Sequence, residues 1–312
     1  MLAYPVSDLS TRHRARLLAK LFSFRFDVDT HRCVREGMPA LSALGARLGV
    51  PFTFFVNMGR SVSRRTVLAR ATSGNGHAAA GAAKLTPREK LGWRGYLEAA
   101  VLNPLVGGGS QGVLRAAADA GHEIGLHGGR NHGVWQHGAH AWSRERLAQE
   151  IDAVLPALSR AIGGRRPRGF ASPGWTTSPL LPEVLVERGF HYYADLHGPS
   201  PSVAPRPKRA DGGADAGAAP GAELPNVRTE LTGEPGGVAY LEHLRAIGLD
   251  DDAVLSRFEQ DLERAGAVAV AYDHPYYAGV RDLTQVERCV RAAQAAGYEV
   301  VALETIATSG AR

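Results

Sequence analysis

Cysteine is scarce in this chain of 312 residues: Cys33 and Cys289 are the only two. At most one bridge can form, which excludes a disulfide-built scaffold and fits a reducing compartment. No run of 18 uninterrupted apolar residues occurs, which excludes a spanning helix. The N-terminal stretch carries Asp8, Arg12, Arg14 and Arg16 where the apolar segment of a signal peptide would sit. These absences predict a cytoplasmic chain. Zinc-finger spacing, an aromatic-basic strand motif and a basic helix with heptads are also missing, so no nucleic-acid partner is expected despite a formal charge of +5. What is present is 44% apolar residues, enough for one large core or two small ones.

The positive charge is concentrated. Residues 1–20 form a basic N-terminal segment, and residues 58–110 hold eight Lys or Arg (Arg60, Arg64, Arg65, Arg70, Lys84, Arg88, Lys90, Arg94) against Glu89 and Glu98. In the second stretch the charges lie among Leu91, Trp93, Tyr96, Leu97, Val101 and Leu102, a pattern suited to an anionic membrane surface or a phosphate. A solvated basic insertion is the equal alternative.

Elsewhere apolar runs alternate with helical patterns. Strands are expected near 21–28, 52–56, 123–126, 170, 190–194, 267–272 and 298–302. Helices are expected from Pro39, over 111–120 up to Gly121, from a Ser143 cap to about 162, and over 180–188, 252–264 and 283–296. Strand–helix alternation along one chain implies α/β architecture with a parallel sheet closed as a barrel. Residues 198–225 interrupt it: 18 of these 28 are Gly, Pro or Ala. Such a segment buries too little apolar area to offset its ordering entropy and reads as a flexible loop within one domain.

Four clusters follow predicted strands, on the edge where active sites of parallel α/β proteins form. Asp27 and Asp29, at i and i+2, can divide metal binding and proton acceptance, or be solvated loop acids. His127 and His132, with His122 and His137 nearby, are imidazoles of the kind that ligate zinc and its neighbours. His274 follows Tyr272-Asp273. The turn from Ala171 through Ser172, Pro173 and Gly174 to Trp175 carries no titratable side chain but can wall a pocket and present backbone N–H groups.

In that order these clusters resemble the motif series of the NodB-homology polysaccharide deacetylases, over roughly 22–306. Within that family the likeness is to the branch that deformylates undecaprenyl-phosphate formamido-arabinose. It rests on Arg25-Phe26-Asp27-Val28-Asp29-Thr30, on Arg35-Glu36-Gly37, on Asn57-Met58-Gly59-Arg60 opening a long insertion, and on Trp135-Gln136 after the histidines. The resemblance implies a distorted (β/α) barrel of the NodB-homology type as a single domain over 21–308, with the basic insertion after the second strand. It implies one divalent ion, zinc first and otherwise manganese, cobalt or nickel, held by Asp29, His127 and His132. Asp27 is then the base and His274 the acid. Arg35, Trp135, Pro173, Gly174, Trp175 and Asp195 become candidate substrate contacts. The activity implied is removal of an N-formyl or N-acetyl group from an amino sugar, lipid-linked or soluble, with peripheral attachment to the inner face of the cytoplasmic membrane. A hydrolase of soluble N-acyl or cyclic amide compounds and a metal-free carbohydrate-binding relic are the alternatives. Three departures stand out: the family spaces its histidines four apart, where Asn131 stands; its arginine before the Pro-Tyr motif is Ala171; and the branch's Ser-Asp-Cys-Arg-Gly is Ala194-Asp195-Leu196-His197-Gly198.

Overall fold

The computed structural model describes residues 20–62, 103–198, 224–234 and 236–309. The N-terminal basic segment up to residue 19, most of the basic insertion and most of the Gly/Pro/Ala-rich segment lie outside the described residues.

Period-two alternation builds the barrel. In β1 (Lys20–Val28) every residue after Lys20 is buried, since a central parallel strand has packed material on both faces. Phe22, Phe24, Phe26 and Val28 pack outward under the helices, while Leu21 belongs to a separate inner cluster with Phe55, Ala171, Tyr192, Ala194, Val227 and Val270. By the same parity Ser23, Arg25 and Asp27 face inward. On the outer face Phe24 stacks on Phe26 at 5.1 Å, and Phe52 meets Phe26 edge-on at 5.6 Å.

A π-helical turn over Cys33–Gly37 leads into α1 (Met38–Leu48), followed by β2 (Thr53–Val56), α2 (Gln111–Asp119) and β3 (Glu123–His127). Next come α3 (His132–Gly138), α4 (Arg144–Asp152), α5 (Leu155–Ala161), β4 (Gly169–Ala171), α6 (Leu181–Glu187), β5 (Tyr192–His197) and β6 (Asn226–Thr229). The chain continues with α7 (Tyr240–Ala246), α8 (Asp251–Ala265), β7 (Val268–Asp273), α9 (Pro275–Ala278), α10 (Leu283–Ala295), β8 (Tyr298–Val300) and α11 (Leu303–Thr308). The strands run in the order β6-β5-β4-β3-β2-β1-β7, and β8 also pairs with β1. Every pairing is parallel. Just beyond β6, the Leu231 N–H donates to Val270 O (3.0 Å) and the Leu231 carbonyl accepts from the Tyr272 N–H (3.2 Å). That bridge links the two ends of the sheet and nearly closes the barrel. No helix among the described residues is long and apolar enough to cross a membrane.

At the N-terminal end of the strands, α11 plugs the barrel with Leu303 and Ile306. Glu123 locks it there: its carboxylate accepts from the Tyr192 hydroxyl (2.6 Å), the Thr53 hydroxyl (2.9 Å) and the Glu304 N–H (3.0 Å). The opposite end, at the strand C-termini, opens to a pocket.

The expected α/β barrel is the observed one, with three corrections. The helix expected from Ser143 to about 162 is two helices, because Pro156 carries no amide proton to continue the first; Ser143 does cap the first, accepting from Arg146 N–H. The strand expected at 190–194 lies two residues later. Finally α3, α7, α9, α11 and β6 had no counterpart, being too short for a periodic signal.

His122, a candidate ligand by proximity in sequence, is structural. Its ring stacks on Phe52, its Nδ1 accepts from the Phe52 N–H (3.0 Å), and its Nε2 therefore carries the proton that goes to Ser42 O (3.1 Å). Burial pushes its pKa below the usual histidine value. The unfolded chain then takes up this proton first, so the contribution is complete above about pH 6.5 and fades as pH falls through the folded-state value. Denaturant titrations at pH 7.5 and 5.5 are expected to show a larger drop for the native chain than for His122→Gln; equal drops would contradict this account.

Candidate active site

The C-terminal ends of β1, β3 and β7 deliver the chemistry to one cavity of about 210 Å³. Asp27, Asp29, His127, His132, Gln136, Gly174, Trp175, Tyr272, His274 and Glu242 are among its walls. Asp29 sits at its centre. His127 Nε2 lies 3.2 Å and His132 Nε2 3.4 Å from Asp29 Oδ1, and His274 Nε2 lies 3.2 Å from Oδ2. Burial alone would raise the Asp29 carboxyl, but the three surrounding imidazoles, His132 foremost, hold it well below the usual range.

One ligand atom each from Asp29, His127 and His132 falls within 4.8 Å of the others. Their hydrogen bonding fits a cation. His127 Nδ1 faces Ala171 O at 3.0 Å, so a neutral His127 keeps its proton on Nδ1 and aims a lone pair from Nε2 toward Asp29. Asp29 Oδ1 is buried with no donor in hydrogen-bonding geometry among the described residues. Acceptors facing acceptors in a buried cluster are the pattern a divalent ion resolves.

The five-residue histidine spacing has a local cause. Asn131 is the N-cap of α3: its Oδ1 accepts from Val134 N–H (3.0 Å), and its Nδ2 donates to Val62 O (2.9 Å). Capping occupies both ends of the amide and turns it away, so the next residue, His132, enters the cavity. Gly128, at φ +70°, makes the tight exit from β3 that this needs; a side chain there would meet Pro173 at 2.5 Å.

Asp27 is held differently. Arg25 Nη2 donates to both Asp27 oxygens at 2.8 Å, and its Nη1 donates to Ala194 O at 2.7 Å. The guanidinium has no solvent exposure and lies against the rings of Trp175 (4.5 Å), Phe55 (4.9 Å) and Tyr272 (5.3 Å). The motif that contains Arg25 assigns it no role. The signal was there: a charge in mid-strand sharing a face with Asp27 has to be buried and paired.

His274 faces a carboxylate through its Nδ1, but it is Glu242 of α7, at 3.8 Å. Asp273, its neighbour in sequence, turns elsewhere and accepts from the backbone N–H of His274 (2.8 Å) and Leu241 (2.7 Å). Burial, then Glu242, pushes the Asp273 carboxyl up to about 7. The Tyr272 hydroxyl lies 3.1 Å from His274 Nε2.

The candidate substrate contacts divide. Gly174 and Trp175 line the cavity. Trp175 has φ +60°, unusual for a bulky residue, and is held by its Nε1–H donating to Gly237 O (2.9 Å). Four others stand back from the lining. Arg35 points outward and exposed from the π-helical turn. Trp135 is fully buried against Trp142 and Phe170, donating to Thr176 O, and the next residue, Gln136, takes the lining position. Pro173 packs under Gly128. Asp195 accepts from Ser172 N–H (2.7 Å) and the Ser172 hydroxyl (2.6 Å), fixing the 171–175 turn.

This barrel, with its Asp/His cluster at the strand C-termini, is that of the polysaccharide deacetylases: the family model of that description matches residues 18–193, more than half of the chain, and the chain belongs to that family. Among curated proteins it is 32% identical over 182 residues to a probable 4-deoxy-4-formamido-L-arabinose-phosphoundecaprenol deformylase of Shewanella sediminis, a match spanning 56% of each. It is 30% identical over 86 residues, 25% of each, to a peptidoglycan deacetylase of Helicobacter pylori. The chain thus spans about half the length of the first of these relatives and a quarter of the second. A Mycobacterium smegmatis structure, solved as a candidate polysaccharide deacetylase, superimposes with a TM-score of 0.57 at 16% identity, covering 93% of this chain and 90% of that one.

Divalent-ion binding followed by calorimetry should separate the neighbouring residues. His132→Ala is expected to weaken zinc at least 30-fold. Asn131→Ala should cost about 1 kcal/mol of stability through the lost cap and leave affinity within threefold.

Proposed function

We propose that the chain is a metal-dependent hydrolase that removes an N-formyl or N-acetyl group from an amino sugar carried on a polyprenyl phosphate. The observation that carries this reading is the convergence of Asp29, His127 and His132 beside Asp27 and His274 across one polar cavity. The two curated relatives are named for deformylating a lipid-linked amino sugar and for deacetylating peptidoglycan, which supports acyl removal from an amino sugar. In this reading residues 21–308 form one catalytic domain.

Asp29, His127 and His132 would hold the ion, zinc in the first instance. Once bound, it supplies Lewis acidity to the acyl carbonyl and to water. Asp27 accepts the proton of the attacking water at a carboxylate oxygen whose orientation Arg25 fixes. His274, across the cavity, provides the proton that the amine needs in order to leave, an amine anion being a poor leaving group. Trp175 and the Gly174 backbone bound the space beside the acyl group, and Gln136 with 237–239 of the rim faces the sugar. The lipid clause draws on the first relative and on the basic, apolar composition of 58–110, which also favours an anionic membrane surface at the cytoplasmic face.

Asp27→Asn is expected to keep its metal by elemental analysis while release of formate or acetate from N-acylated amino sugars falls 10²- to 10⁴-fold; full turnover would remove Asp27 as the base. Flotation with anionic liposomes at low salt should carry the native chain upward and lose it at high salt. Failure to float at low salt would remove the membrane clause and leave the chemistry standing.

A further inference from the structure

We propose that the Tyr272 hydroxyl is a catalytic residue: it passes the proton of His274 to the departing amine. This deepens the deacylase reading above and rests on it.

The geometry around His274 leads there. Nδ1 faces Glu242 Oε2 at 3.8 Å, and Glu242 is itself gripped by the Tyr276 hydroxyl. Nε2 is met by Asp29 Oδ2 at 3.2 Å and by the Tyr272 hydroxyl at 3.1 Å. Both ring nitrogens thus have protein neighbours, and of the two groups described here at Nε2 the hydroxyl is the one that can accept one proton and donate another. Tyr272 stands on β7 two residues before His274, so parity turns both side chains to the same face. Its ring is fixed by Arg25 at 5.3 Å and by Trp175 at 5.2 Å edge-on, and it lines the cavity. Burial, with Asp27 and Asp29 close by, keeps the phenol protonated far above its ordinary range. It can therefore serve as a donor, provided it is reprotonated in the same step.

The step balances as follows. As the C–N bond breaks, its electron pair goes to nitrogen, which takes the Tyr272 hydroxyl proton. The phenol oxygen simultaneously takes the Nε2 proton of the imidazolium, leaving neutral His274 and an intact phenol. The proton that Asp27 took from water returns to solvent, and His274 is recharged from solvent.

The test is a double-mutant cycle with Tyr272→Phe and His274→Gln in the metal-loaded full chain. The substrates are an N-acylated amino sugar and an aryl ester, whose leaving group needs no proton. Each single variant is expected to lower amide kcat about 100-fold with KM within twofold, to leave aryl-ester hydrolysis within threefold, and to keep its metal by elemental analysis. The double variant should be no slower than either single one, since one route is cut twice. Amide turnover within threefold of native in Tyr272→Phe, equal losses on amide and ester, or multiplying losses in the double variant would each overturn the relay. If only the His274→Gln half of this pattern appears, His274 donates directly. If the native, metal-loaded chain releases no acyl group, the deacylase reading itself fails and takes the relay with it. Unfolding midpoints of each variant separate a folding defect from a chemical one, and a melted Tyr272→Phe is replaced by Tyr272→Leu under the same criteria.

Discussion

The mouth of this barrel depends on one buried ion pair. Arg25 and Asp27 leave water together, and such a transfer is tolerable only when both charges are paired and hydrogen-bonded. Arg25 meets that condition by reaching across the interior, to Asp27 on its own strand, to Ala194 on β5 and to Thr229 on β6. Its flat faces are covered by Phe55, Trp175 and Tyr272. The same side chain that neutralises Asp27 therefore also spaces the strands and stacks the aromatic wall of the cavity. Removing one partner of such a pair typically costs about 3–5 kcal/mol, so it constrains the fold as well as the site.

That pair also bears on Ala171 of β4, whose carbonyl orients His127. The buried guanidinium is supplied from β1. A small residue on β4 is the natural complement, because Ala171 belongs to the inner cluster into which the Arg25 side chain projects.

What could be read beforehand follows from the range of each signal. Strands such as β1 and helices such as α10 were legible because apolar residues repeat within them, and the position of Asp27 and of His274 at strand ends followed from that repeat. The histidine pair was legible as types but ambiguous in spacing; the ambiguity ends only with Asn131, whose Oδ1 caps α3 and whose Nδ2 donates to Val62 O, a distant contact that no local pattern reveals. Glu242 was invisible. It lies on a seven-residue helix, and only the closure between Leu231 and Ala271 brings that helix beside His274. Trp135 and Asp195 were placed one layer too close to substrate. Sequence marks a residue as near a motif, and which layer it occupies depends on packing across strands.

The charges in the cavity explain why its centre suits a doubly charged ion. Asp27, Asp29 and Glu242 are three carboxylates, and Arg25 is the permanent cation among the side chains described at the site. Imidazolium protons can offset the remainder: burial lowers the His127 pKa, but Asp27 and Asp29 outweigh it and the net shift is upward. A proton on Nε2, however, removes the lone pair that His127 offers the cluster. Binding a cation there and releasing that proton are consequently one event, with affinity rising as pH rises. The tautomer-setting bond from His127 to Ala171 O survives in either state, so the exchange proceeds without moving β3 or β4. The fold thus fixes the ligand positions whichever partner, protons or a divalent ion, offsets the buried carboxylates.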